Sequence, residues 1–119
     1  MTDMAPLVQG DTWSFQVGWF DPQSNGQPDY SHPVDLTGYE AHLQVRKSAG
    51  TEVLLDLTSN PSDGLTMNGV SGTIDIYASP DLTVDLPHGR LTWELEVFTP
   101  DNTYTLVTMP LLVQAQVTA

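Results

Sequence analysis

Apolar side chains recur at every second position in one stretch of this chain after another. Trp13, Phe15, Val17 and Trp19 alternate with Thr12, Ser14, Gln16 and Gly18. Tyr39, Ala41, Leu43 and Val45 alternate with Glu40, His42, Gln44 and Arg46. Leu91, Trp93, Leu95 and Val97 do the same with Thr92, Glu94 and Glu96. Successive side chains of a strand leave opposite faces of a sheet, so a period of two predicts strands that each bury one face. Val53, Leu55 and Leu57 mark a further strand, as do Ile74 and Ile76 within Thr73–Tyr77. Leu65–Met67 is a brief strand at best, before an Asn68-Gly69 turn signal. Tyr104, Leu106 and Thr108 alternate, then Leu111, Val113, Ala115 and Val117. Pro110 between them predicts a bulge or a sheet edge, because proline cannot donate to a ladder.

Turn chemistry separates these segments. Asp21–Asp29 (DPQSNGQPD) reads as a loop that continues through His32, long enough to be an interaction loop. Val34–Gly38 reads as a short extended segment, and Ser48-Ala49-Gly50 and Asn60–Gly64 as turns. Thr99–Asn102 (TPDN) places proline second in a tight turn and predicts a hairpin. Ser79–Gly89 is the helical candidate, one or two turns long, with Ser79 as cap, Pro80 at the first position and Pro87 as stop. Seven to eight short strands with one helical turn make an all-β chain, expected to be a single antiparallel β-sandwich domain over residues 1–119. Asp-Leu-Thr occurs at 35, 56 and 81, but the flanking residues do not match and no repeat is inferred.

Charge narrows the function. Fifteen acidic residues face three basic ones, Arg46, Lys47 and Arg90, for a net charge of -12. Such a surface repels phosphate backbones and anionic lipid, so neither nucleic acid nor a membrane is an expected partner. The chain has no cysteine, which excludes disulfides, thiolate metal sites and a cysteine nucleophile. No apolar run approaches the ~20 residues that span a bilayer. The opening MTDMAPLVQGD has neither the basic nor the apolar region of a signal peptide, so synthesis in the cytoplasm and a soluble product are expected.

Motifs for catalysis are missing. His32, His42 and His88 are isolated and fit no metal-ligand spacing. Asp81 and Asp85 could share a helical turn, and Glu94 and Glu96 share a strand face, but acid–base work needs a carboxyl whose pKa is raised in an apolar cleft. No enzymatic activity, cofactor or metal is expected. Five apolar residues fall out of phase with the core sets: Leu54, Phe98, Val107, Met109 and Leu112. They imply either strands buried on both faces and a bulge that resets the phase, or an exposed patch that meets another subunit. As an interface, they are the candidate partner-binding residues.

GDTWSFQVGWFDPQSNGQP, PVDLTGYEAHLQVRK and TIDIYASPDLTVDLPHGRLTWELEVFTPDNTYTLV, in that order, resemble a family of small structural proteins of tailed bacteriophages. The pattern is a Gly-Asp-Thr before an alternating strand, Asp35–Tyr39 leading into a strand that ends in Arg, and a helical turn closed by Leu86-Pro87-His88-Gly89. It is similar to the N-terminal domain of baseplate upper proteins and to stand-alone proteins encoded among tail and fibre genes. The resemblance implies an immunoglobulin-like β-sandwich in the virion, made in the host cytoplasm. It implies contacts with other virion proteins (tail, baseplate or fibre subunits) in multiple copies, and it carries no catalytic residues. The expected role is a baseplate component or tail-to-fibre adaptor, with head decoration or neck protein as the alternative. A carbohydrate-binding module is the rival of another class, with Trp19, Tyr30 and Trp93 as its candidate platforms.

Overall fold

Where the alternation is strongest the chain does form strands. The computed structural model describes residues 6–22, 25–48, 50–60 and 62–115. Within them the protein is all-β: eleven strands, several of two or three residues, with one four-residue helix and one 3-10 turn. In chain order these are β1 (Leu7–Val8), β2 (Trp13–Gly18), β3 (Phe20–Pro22), β4 (Pro28–Pro33), β5 (Glu40–Arg46) and β6 (Leu55–Ser59). They continue with β7 (Ser62–Asp63), β8 (Leu65–Asn68), the 3-10 turn Gly69–Ser71, β9 (Thr73–Ala78), α1 (Pro80–Thr83), β10 (Gly89–Phe98) and β11 (Thr103–Gln114).

Six strands make one sheet in the order β1-β11-β10-β5-β6-β7, and three make a second in the order β2-β9-β8. β3 and β4 pair only with each other. The ladders are antiparallel except β1 on β11, which is parallel, with Leu7 opposite Val113. The chain therefore leaves the large sheet after β1 and joins the small one at β2. That crossover is pinned by side chains. Thr83 Oγ1, fully buried, donates to the Asp11 carbonyl at 2.6 Å, and Gln9 Nε2 donates to the Leu86 carbonyl at 2.7 Å. Pro80 starts α1 as expected and Asp81 sits in its first turn, but Ser79 makes no side-chain cap.

The apolar sets of both sheets meet in one core. Ala41, Leu43 and Val45 of β5 and Leu91, Trp93, Leu95 and Val97 of β10 come from the large sheet, and Leu65, Ile74, Ile76 and Ala78 from the small one. Between them Trp13, Phe15 and Trp93 form an aromatic triad, with ring centroids 5.0 to 5.9 Å apart and Trp93 edge-on to both others.

Several elements differ from the sequence reading. The Asp21–His32 loop is a two-stranded arm: Phe20 pairs with Pro33 and Pro22 with Pro28. Its proline-rich composition hides strands, because an arm open on both edges can tolerate missing N–H donors. Val34–Gly38, read as a short extended segment, joins no ladder; Leu36 N donates to the Gly69 carbonyl and Thr37 N to Asp35 Oδ1. The third strand starts at Leu55, leaving Val53 outside it. Of the two expectations at Pro110 the sheet edge holds, since among the described residues β1 pairs with β11 only at Val113 and Gln114, while the bulge lies at Leu106, where the β10–β11 register shifts between Leu95 and Glu96. Pro110 keeps its register opposite Thr92. The three Asp-Leu-Thr triplets form a turn, a strand and a helix. Ala49 and Val117 lie outside the described residues.

Gly72 is where the arm meets the body. Its φ is +68, and a Cβ there would lie 2.8 Å from the Val34 carbonyl oxygen and 2.9 Å from that of Trp19. The amide of Trp19 also donates to the Gly72 carbonyl at 2.8 Å. Two stability predictions follow from packing, both read by denaturant unfolding. Trp93→Ala should cost about 3–5 kcal/mol, whereas Leu112→Ala, on an exposed residue, should stay within about 0.5 kcal/mol. Gly72→Ala should cost about 1–3 kcal/mol, because it combines backbone strain with a steric clash against fixed carbonyls.

Candidate functional site

The outer face of the large sheet and one end of the molecule hold the chemistry on display. On the outer face β5, β10 and β11 present their polar phase. Gln44, Arg46, Thr92, Glu94, Glu96 and Thr108 line an open depression of about 350 Å³. Cross-strand register sets the order, with Glu94 between Gln44 and Thr108, and Glu96 opposite His42. Thr108 Oγ1 donates to Glu94 at 3.3 Å. His42 pairs with Asp56 of β6, and Gln44 lies 3.4 Å from the same imidazole. The Arg46 guanidinium is engaged by the Thr51 carbonyl and by Gln44 Oε1, the latter at 2.9 Å.

Partial burial pushes the Glu96 carboxyl above its ordinary range, and hydrogen bonding and repulsion from Glu94 add to this, while His42 opposes it. Glu96 thus carries a raised carboxyl, but it lies in an open depression lined by polar side chains rather than in an apolar cleft. Elsewhere the shifts run the other way. Asp29 is lowered by bonds from Ser31 and His32, Asp35 by Thr37, and Asp75 by Gln16 and Asn68.

The end of the molecule is aromatic. Trp19, at the root of the β3–β4 arm, meets Tyr104 at 5.4 Å and Tyr39 at 6.1 Å. These rings sit beside the Thr99–Asn102 turn, which closes with the Thr99 amide donating to the Asn102 carbonyl. On the arm Phe20 packs against Tyr30 at 5.0 Å, and Tyr30 is 74% exposed. Beside it Asp29 accepts from Ser31 and contacts His32 Nδ1 at 2.7 Å. His32 is thus on a strand rather than in a loop, while His88 lies exposed in the turn before β10.

The five out-of-phase residues do not gather. Val107 opposes Leu95 and Met109 opposes Trp93, so both lie on the core side of the large sheet, half-buried. The bulge at Leu106 puts them there. Leu54 is half-buried against the core at the edge of β5, where its amide donates to the Val45 carbonyl. Phe98 and Leu112 share the outer face, but Leu112 opposes Arg90, eight residues from Phe98, so they stand roughly 26 Å apart. Of the rival platform residues, Trp93 is 1% exposed, while Trp19 and Tyr30 belong to two different ring groups. The sequence reading missed the grouping of Tyr39 and Tyr104 with Trp19. Its signal was an aromatic at each strand end that flanks a turn.

The chain matches no protein-family model, and no curated protein matches it closely enough to count as a relative.

Glu96 yields a pH prediction. Because its folded pKa is raised, its contribution to stability is greatest below the unfolded value and is lost as pH rises through the folded one. Glu96→Gln, which keeps a donor toward Glu94, should raise Tm at neutral pH. Melting curves at about pH 3, below the ordinary glutamate range, where the Glu96 carboxyl is protonated both folded and unfolded, should show the difference gone.

Proposed function

We propose that this protein is a non-catalytic contact module of a tailed-phage virion, a baseplate component or an adaptor between tail and fibre. The fold we assign to it is an immunoglobulin-like sandwich. Strand order supports that assignment. A sheet of first, last, tenth, fifth, sixth and seventh strands facing one of second, ninth and eighth corresponds to the variable-type arrangement, with α1 linking the two sheets. The virion setting is supported by the motif order, from Gly10-Asp11-Thr12 to the Thr99–Asn102 hairpin.

One observation carries the contact role. Trp19, Tyr39 and Tyr104 form one aromatic group, and Phe20 and Tyr30 a second on the adjoining arm, on a body of net charge -12. Aromatic rings give large contact area at low entropic cost and are enriched where proteins bind each other. Repetition of such groups around a symmetric particle multiplies weak contacts into stable attachment. A carbohydrate-binding role is favoured by the exposed ring of Tyr30 beside Asp29, Ser31 and His32, and selective binding on a glycan array would move the assignment there.

Immunogold electron microscopy with an antibody to this chain, on particles of its source phage, tests the virion reading. Label is expected at the tail tip. Label on the head would make the same fold a decoration or neck protein. Absence of label on intact and disrupted particles, with the antibody still binding free protein, would overturn the reading.

A further inference from the structure

Sheet edges are where proteins of this class meet extended partners, and the edges here are not alike. Among the described residues β11 is uncovered from Thr103 to Leu112, but the Leu106 bulge and Pro110 interrupt it. β6 carries Asp56 as the second of its five residues, and β7 has two residues. β8 has four residues, and the preceding Gly64 is bridged to Thr58 of the large sheet. β2 differs. Among the described residues it is the outer strand of the small sheet, six residues long, with an unbroken register against β9 from Trp13–Ala78 to Gly18–Thr73. Trp-Ser-Phe-Gln-Val-Gly holds no charge, no proline and no bulge, which are the devices that blunt an edge.

Two further features lie along that edge. Phe15 and Val17 point inward yet remain half-buried, so the core is unfinished on this flank. Beside them runs an open groove of about 240 Å³, lined by Leu7, Val8, Asp11, Trp13, Ser14 and Phe15, where the chain crosses between sheets. Asp11 stands at the head of β2, and Asp75 of β9, held at 2.7 Å by Gln16, lies on its outward face.

We propose that the β2 edge binds an extended segment of another protein, which joins the small sheet as its fourth strand. The segment alternates apolar residues, packed on Trp13, Phe15 and Val17, with basic ones facing Asp11 and Asp75. Main-chain bonds supply affinity and the alternation supplies specificity. The charge of -12 selects a basic partner over a second copy, which would bring the same charge and, from its own β2, no cation. This deepens the contact-module reading and rests on it for the existence of a partner. The test uses purified protein, so its failure would leave the particle-labelling result untouched.

The experiment titrates the full chain with the capped peptide Lys-Val-Lys-Thr-Lys-Val-Lys, and with the same peptide carrying Glu for Lys, following amide exchange and the Trp13 signals by NMR. The lysine peptide should slow exchange in Trp13–Gly18, bind at least about ten-fold tighter than the glutamate peptide, and weaken as salt is raised. Gln16→Lys should cut its affinity about ten-fold, while Gln16→Thr, with the same loss of the Asp75 bond, should retain it. Equal affinity for both peptides, protection centred on another strand, or no binding at millimolar peptide would overturn the proposal. So would protection of β2 that grows with protein concentration alone, which would make a second copy the occupant.

Discussion

Everything in this fold depends on two sheets sharing one core without a disulfide, and an aromatic seam joins them. Trp13 and Phe15 project from the small sheet and Trp93 from the large one, in tilted and edge-on contact. Such pairs contribute about 0.5–1.5 kcal/mol each beyond the area they bury. Their larger effect is on geometry, because edge-on rings tolerate little sliding between the sheets. Around the seam the aliphatic sets of β5, β9 and β10 close the core. For a body of 119 residues, which buries a modest fraction of its surface, three large rings at the centre matter more than they would in a larger domain.

The seam also organises the surface. Trp93 lies mid-way along β10, so the inward phase it sets also fixes which residues face out: Thr92, Glu94 and Glu96 toward the polar depression. At one end of the same sheets the chain crosses between layers at β1 and β2, pinned by Thr83 and Gln9. At the root of the arm Gly72, Trp19 and Val34 tie β3 and β4 to the body. The acidic outer face, the aromatic end and the bare β2 edge are what remains once the core has taken its share of apolar residues.

Much of this was written in the sequence in a legible form. Strict alternation alone locates β2, β5, β9 and β10 and assigns Leu43, Leu95 and Ile76 to the core. What escaped had specific physical causes. A bulge at Leu106 flips the phase of every later residue, so Val107 and Met109 read as outward while they face in. β3 and β4 are built from loop-forming residues, because no third strand demands their hydrogen bonds. β1 is two residues, too short for any period, yet it decides how the chain changes sheets. The aromatic end joins Trp19, Tyr39 and Tyr104 from distant positions, and only the register brings them together.

The central claim, that a Trp13–Phe15–Trp93 seam joins the two sheets, is tested most directly by nuclear Overhauser contacts in solution. The account predicts cross-peaks between the Trp93 indole and the rings of both Trp13 and Phe15, together with contacts from Leu7 to Val113 that mark the parallel first strand. Intact β10 and β2 ladders, with the Trp93 ring in contact with neither Trp13 nor Phe15, would contradict it.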